Sequence, residues 1–166
     1  YRKQGVGIVK GSKVEHLAPP FENVPFLMKN LFDYLKRSDE IELIKSCVFH
    51  YEMEFIHPFI DGNGRMGRLW QTLILMDKYS VFEFLPFETI ICNDQEQYYK
   101  ALSLSDKEGK STKFIEYMLN VIYISISDLL NFNNRTLTEK DRLEYFASLD
   151  KIEFTRKDYM DVFKDI

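Results

Sequence analysis

The sequence has only two cysteines, Cys47 and Cys92, each among apolar neighbours and neither in a CxxC pair or a ligand cluster. That spacing excludes a disulfide scaffold and a thiolate metal site, and both read as reduced core thiols. An excess of basic residues is also lacking: 22 Lys and Arg stand against 26 Asp and Glu, for a net charge of -4. Proteins that track a nucleic-acid backbone usually carry a net basic face, so this balance points away from DNA. No apolar run approaches the roughly 18 residues of a membrane span, and no charged-then-apolar leader opens the chain. These absences predict a cytoplasmic protein with no membrane partner. There is no internal repeat, low-complexity tract or Ser/Gly-rich linker.

What remains is 166 residues, 45% hydrophobic and 29% charged, an ordinary composition for one soluble domain with a real core. The chain begins with Tyr1 and stops inside a helical pattern running from Thr155 to Ile166. It is therefore expected to be a piece of something longer.

Periodicity predicts a mostly helical fold. Val6, Ile8 and Val14 alternate around Lys10-Gly11-Ser12-Lys13, the pattern of a short hairpin with a tight turn, placed at about 5–16. Pro25 suits the first turn of a helix over about 25–37 that carries Leu27, Leu31, Tyr34 and Leu35 on one face. Asp39 with Glu42 reads as a capping box for a second helix. Its apolar positions Leu43, Ile44, Cys47, Val48, Tyr51 and Phe55 recur at three and four, as far as about Ile56. Pro58 disfavours the α conformation at His57, so that helix must end there. Pro58 to Gly64 is a loop, and a third helix carries Leu69, Trp70, Leu73, Ile74 and Met76 to about Tyr79. Asn93 with Glu96 caps another helix to about Asp106. Phe114, Ile115, Met118, Leu119, Ile122, Ile126 and Leu130 define a long amphipathic one. The expected class is all-α, a helical bundle with a hairpin flap over 1–130 and a helical extension over 131–166.

The chemistry concentrates in His57-Pro58-Phe59-Ile60-Asp61-Gly62-Asn63-Gly64-Arg65-Met66-Gly67-Arg68. A glycine-flanked loop that opens a helix aims several backbone N–H groups and the positive end of the helix dipole at one spot, which suits phosphate. Arg65 and Arg68, three apart on the first turns, can clamp further phosphate oxygens with forked hydrogen bonds. Asp61 is the loop's one carboxylate; it reads either as a turn residue or as the single protein ligand of a magnesium ion that keeps its waters and phosphate oxygens. A polyphosphate with its metal is the natural ligand. His57, with an ordinary pKa near neutrality, stands beside it as a candidate base. Gly62 to Gly67 also satisfies GxGxxG, but that fingerprint needs a preceding strand in a βαβ unit, and here a helical pattern precedes. His16 and His50 lack such a context and read as structural.

Residues 57–68 resemble the signature of the Fic family, His-Pro-Phe-x-(Asp/Glu)-Gly-Asn-Gly-Arg-x-x-Arg, with every specified position filled. The resemblance extends over roughly residues 1–128, with Tyr1 to His16 similar to the family's flap hairpin. It implies that His57 deprotonates a target hydroxyl and that Asp61 binds magnesium, or manganese in its place. Gly62, Asn63 and Gly64 would form the anion hole, and Arg65 and Arg68 would hold the β- and γ-phosphates of ATP. Gly5, Val6, Gly7, Ile8 and Val9 would dock a target segment by main-chain pairing. Tyr98 and Tyr99 are either core aromatics or, by the resemblance, neighbours of an adenine pocket.

The implied activity is transfer of AMP from ATP to a Tyr, Ser or Thr hydroxyl of a target protein, with release of pyrophosphate. Transfer of UMP, phosphocholine or phosphate, and an idle binding module, stand as alternatives; Doc-type kinases of this fold replace the second motif glycine with lysine, whereas Gly64 is retained here. The family's inhibitory motif, Ser/Thr-x-x-x-Glu-Gly/Asn, is not found: Ser105 to Gly109 has the wrong spacing, and Thr112 to Glu116 is followed by Tyr117. An inhibitor is therefore expected upstream of Tyr1 or on a separate antitoxin-like protein. A homodimer is a further candidate assembly. Thr138 with Asp141, and Thr155 with Asp158, resemble the caps that begin a winged helix-turn-helix, and DNA would be a partner only if such a domain is completed.

Overall fold

The structure is a computed structural model that describes residues 1–10, 13–85, 87–136, 139–147 and 155–162. The chain divides into two compact units, Tyr1–Ser125 and Ile126–Ile166. The first opens with an antiparallel hairpin, β1 (Gly7–Lys10) and β2 (Lys13–Leu17), which pairs Gly7 with Leu17 and Lys10 with Lys13 and carries an irregularity between Ile8 and Val9. The hairpin is where alternation placed it; the Gly11-Ser12 turn itself lies outside the described residues.

Among the described residues five α-helices, with 3-10 turns at Phe21–Asn23 and Ser80–Glu83, build most of the rest of this unit. They are α1 (Val24–Arg37), α2 (Glu42–Ile56), α3 (Asn63–Lys78), α4 (Phe87–Asn93) and α5 (Gln95–Glu108). They are joined by α6 (Thr112–Thr136), within which the division of the units falls. The second unit also contains α7 (Glu139–Ala147) and α8 (Arg156–Val162). At the start of α8 the Thr155–Asp158 box forms as expected: Thr155 N and Oγ1 donate to Asp158 Oδ2 at 2.8 and 2.7 Å, and Asp158 N donates to Thr155 Oγ1 at 3.3 Å. Thr138 lies outside the described residues.

Helix α2 is the axis of the first unit. Ser46, Cys47, Phe49, His50, Tyr51, Met53, Glu54 and Ile56 are all buried, so this helix is covered on more than one side. One side, Phe49, Met53 and Ile56, packs with Val24, Met28 and Leu31 of α1 and Ile74 of α3. Phe32, Phe49 and Trp70 seal that layer with ring centroids 5.2 to 5.5 Å apart. The opposite side presents His50 and Tyr51 to Phe114 of α6, at 5.0 and 5.8 Å between ring centroids.

Several local expectations are corrected. The Asp39–Glu42 box does not form; α2 has Ile41 at its N-cap without a side-chain hydrogen bond. Ser38 and Glu40 are engaged instead, Glu40 N donating to Ser38 Oγ at 3.2 Å and the Tyr34 hydroxyl to Glu40 Oε2. Asn93 does not cap α5 but ends α4, and the cap is Asp94, whose Oδ1 accepts from Gln97 N at 3.3 Å. On α3, Leu69 and Leu73 are about half exposed while Gln71 is buried, so its inner face is rotated away from the leucines. Leu130 is likewise exposed near the end of α6. Cys47 is a buried free thiol as expected, whereas Cys92 is exposed beside the buried Ile91.

Candidate active site

Helix α2 stops at the residue that the proline forbids to remain helical. The His57 amide still bonds Met53 O at 3.1 Å, but its own backbone flips to φ 50° and ψ 59°, the one left-handed non-glycine among the described residues. Such strain persists where surrounding contacts overdetermine it. The imidazole Nδ1 reaches back to Glu54 O at 3.4 Å. A carbonyl can only accept, so Nδ1 carries a proton and, in the neutral ring, the lone pair sits on Nε2, the tautomer a proton acceptor needs.

The loop that follows is closed by Asn63. Phe59 N donates to Asn63 Oδ1 and Asn63 Nδ2 donates to Phe59 O, each at 2.9 Å, and Asn63 is buried. Helix α3 therefore starts at Asn63, inside the stretch expected to be loop. Gly62, at φ 84°, caps it through its backbone, its carbonyl accepting from Met66 N at 3.0 Å. The first-turn N–H groups have no acceptor within their own helix. Over this turn lies a pocket of about 370 Å³ lined by Phe59, Asp61, Gly62, Arg65 and Met66. At its rim Arg65 Nη2 donates to Asp61 Oδ2 at 3.2 Å, both side chains mostly exposed and able to turn toward a ligand.

On the inner side of α3 the packing is tight. A Cβ on Gly64 would meet Arg68 Nη1 at 3.1 Å and Glu54 Oε1 at 3.3 Å, so a buried carboxylate of α2 and the second motif arginine converge on one point. A Cβ on Gly67 would fall 2.4 Å from His50 Cδ2, so α2 and α3 approach this closely only because Gly67 is bare. His50 is fully buried, with Nδ1 2.6 Å from Gln71 Oε1 and Nε2 3.2 Å from the Tyr98 hydroxyl. Gln71 Nε2 donates to Cys47 Sγ at 3.4 Å, which leaves Oε1 to accept from Nδ1–H. Burial lowers the His50 pKa to about 4, so the ring is neutral. Burial first, then the Glu54 charge, pushes the Tyr98 hydroxyl well above its usual range.

Of the residues singled out in the sequence, Asp61, Gly62 and Arg65 line the pocket. Asn63 braces the loop with its side chain and contributes a first-turn N–H. Gly64 and Arg68 sit on the inner side of the same turns. His57 and Pro58 lead into the loop. Tyr98 is buried against His50, as a core aromatic, and Tyr99 is exposed on α5; neither lines the pocket. Gly7 opens β1 with Ile8 and Val9 behind it, while Gly5 and Val6 precede the strand and Val6 O accepts from Ala18 N at 3.2 Å. The side chains of Ile8, Val9 and His16 lie outside the described residues.

Sequence reasoning missed Glu54, Gly67 and Arg2. Glu54 had a legible signal, since Cys47, His50 and Glu54 recur at helical spacing and place polar groups on a buried stripe. Gly67 fell on an unspecified motif position. Arg2, 4% exposed and bonded to the carbonyls around His57, had no signal at all.

Residues 1–75 match the family model "Fic/DOC family". A probable protein adenylyltransferase of Aquifex aeolicus is 38% identical over 78 residues, 46% of this chain and 23% of its own length. A Fido domain-containing protein of Dictyostelium discoideum is 40% identical over 67 residues, 39% of this chain and 43% of that protein. The crystal structure of a Fic family protein from Desulfovibrio desulfuricans G20 matches at 41% identity and a TM-score of 0.76, over 99% of this chain and 50% of that one. This likeness reaches the C-terminal residues that the resemblance of residues 1–128 left uncovered. The chain thus spans half or less of these relatives. Helix-ending His57, the braced loop and the pocket at the start of α3 sit on the segment that the family model matches, and this chain carries a Fic domain.

Proposed function

We propose that the chain transfers AMP from ATP to a hydroxyl side chain of a target protein. The observation that carries this reading is the placement of His57. Its Nδ1 is committed to Glu54 O, the neutral ring holds its lone pair on Nε2, and six residues on, at Asn63, begins a helix whose open end can cradle a polyphosphate. The target oxygen attacks the α-phosphorus and its proton passes to His57 Nε2. The bond from the α-phosphorus to the bridging oxygen breaks, and pyrophosphate leaves. The backbone N–H groups of the α3 first turn, with Arg65 and Arg68, hold the departing charge, so catalysis rests on positioning and electrostatics.

The donor set fits magnesium. Asp61 is a single exposed carboxylate at the pocket rim, and among the described residues no three His, Cys, Asp or Glu converge. A cation that keeps its waters and shares phosphate oxygens needs no more than that from the protein. When bound, it supplies charge neutralisation on the phosphates. The hairpin offers a strand edge for main-chain pairing with the target.

The test is incubation with magnesium and ATP labelled at the α- or the γ-phosphate, with cell lysate as the source of targets and His57→Ala as control. Label reaching protein from α-ATP alone, and lost in the variant, supports the reading. Label from γ-ATP makes the chain a kinase, and transfer that survives His57→Ala removes the proposed base.

A further inference from the structure

Arg2 is a buried cation that bonds main-chain carbonyls. Its Nε donates to His57 O at 2.8 Å, Nη2 donates to Ile56 O at 3.4 Å and to Pro19 O, and Nη1 donates to Gln4 O at 2.9 Å. Its backbone N donates to Pro58 O at 2.8 Å. Three of these acceptors, on Ile56, His57 and Pro58, belong to the end of α2 and the turn that follows. Terminal helix carbonyls lack partners within the helix, and a cation is favoured at that negative end. The remaining two, on Gln4 and Pro19, stand one on each leg of the hairpin, before β1 and after β2, where Ala18 N to Val6 O closes its base.

One planar guanidinium thus joins both legs of the hairpin to the strained residue that carries the imidazole. A lysine could not do this, since a single ammonium lacks the fixed fork that meets carbonyls from several directions. The geometry points to Arg2 as a positioning residue. It holds His57 in its left-handed conformation and fixes the base of the hairpin at a set distance from it, so that a hydroxyl presented along the hairpin meets Nε2. This rests on the reading of His57 as the base and of the hairpin as the target-docking edge.

The experiment compares the wild-type chain with Arg2→Ala and Arg2→Lys by three readouts. These are the NMR titration of the His57 ring, assigned by its loss in His57→Asn, equilibrium binding of magnesium-ATP, and the kinetics of transfer. His50, buried away from Arg2, is the internal control for intact packing. In Arg2→Ala the His57 resonance moves and its midpoint shifts while His50 stays put. Nucleotide affinity holds, and kcat falls about 100-fold, the scale of an ångström-size misplacement of a reacting group. Added guanidine restores part of that loss, and Arg2→Lys falls between. Should Arg2→Ala fail to fold, Arg2→Lys, which keeps the charge and loses the fork, carries the same comparison. A His57 titration identical to wild type overturns the proposal, as does a loss that falls on nucleotide affinity instead. Absence of transfer by the wild-type chain would count against the adenylyl-transfer reading, and the ring titration would still decide the role of Arg2.

Discussion

Asn63 and Phe59 exchange two hydrogen bonds of 2.9 Å, side-chain amide to peptide, across the loop that opens α3. A residue whose motif match suggests contact with phosphate therefore uses its side chain to hold the loop shut. Each bond is part-buried, and losing both leaves a peptide N–H and a C=O to find water, at up to about 1–3 kcal/mol per group left unsatisfied. Asn63→Ala is expected to lower the urea midpoint and to weaken magnesium-ATP binding together. A variant that melts like wild type and binds nucleotide normally would show that the loop holds its shape without the clamp.

The missing side chain of Gly67 lets His50 pass, with a Cβ there 2.4 Å from Cδ2 and 2.9 Å from Nε2. Gly→Ala inside a helix gains about 1 kcal/mol of propensity, while overpacking a rigid core costs about 1–3 kcal/mol. Since the obstacle is a buried ring, the clash wins, and Gly67→Ala should destabilise. The check is a double-mutant cycle with His50→Ala, which removes the obstacle: Gly67→Ala should then turn neutral or stabilising. Equal effects in both backgrounds would place the cost elsewhere.

Burial holds His50 at a pKa of about 4, against the opposing pull of its Gln71 hydrogen bond. Unfolded, the ring takes its proton near pH 6.5. Above about pH 6.5 both states are neutral and the full stability is present; as the pH falls toward about 4 the unfolded chain takes up a proton the folded one refuses, and about 3 kcal/mol is lost. Urea midpoints measured at about pH 7 and about pH 5 should fall more steeply for wild type than for a His50→Gln variant. Parallel slopes would mean that His50 is protonated in the fold.

Arg65 and Asp61 pair at 3.2 Å on the surface, with side chains 71% and 91% exposed. Exposed pairs contribute little, so Arg65→Ala should leave thermal stability within about 0.5 kcal/mol of wild type. Its affinity for magnesium-ATP should fall at least about tenfold, because a charge-assisted contact to phosphate is lost. Calorimetric titration alongside a melt separates the two, and unchanged affinity would remove Arg65 from the nucleotide site.

The amino-acid sequence by itself determined the helical class, the hairpin, the stop at His57 and the segment that bears the chemistry. All of these follow from local rules: a 3.6-residue period, a two-residue alternation, a proline that excludes helix before it, and glycines that open one after it. Capping was less legible: Asn93 and Asp94 are adjacent capping residues and the fold uses the second, while α2 begins after Ile41 with no side-chain cap at all. The faces of α3 were legible only in part, since Leu69 and Leu73 satisfy the period but Gln71 is the residue drawn inward by His50. Tertiary structure alone decided the rest: the Asn63 side chain turned inward, Glu54 beside Arg68, Tyr98 against His50 and Arg2 around the carbonyls of residues 56–58. Each joins groups far apart in the chain or hidden by a local pattern, and a buried polar group takes whichever partner the fold brings within about 3 Å, a distance no sequence spacing encodes.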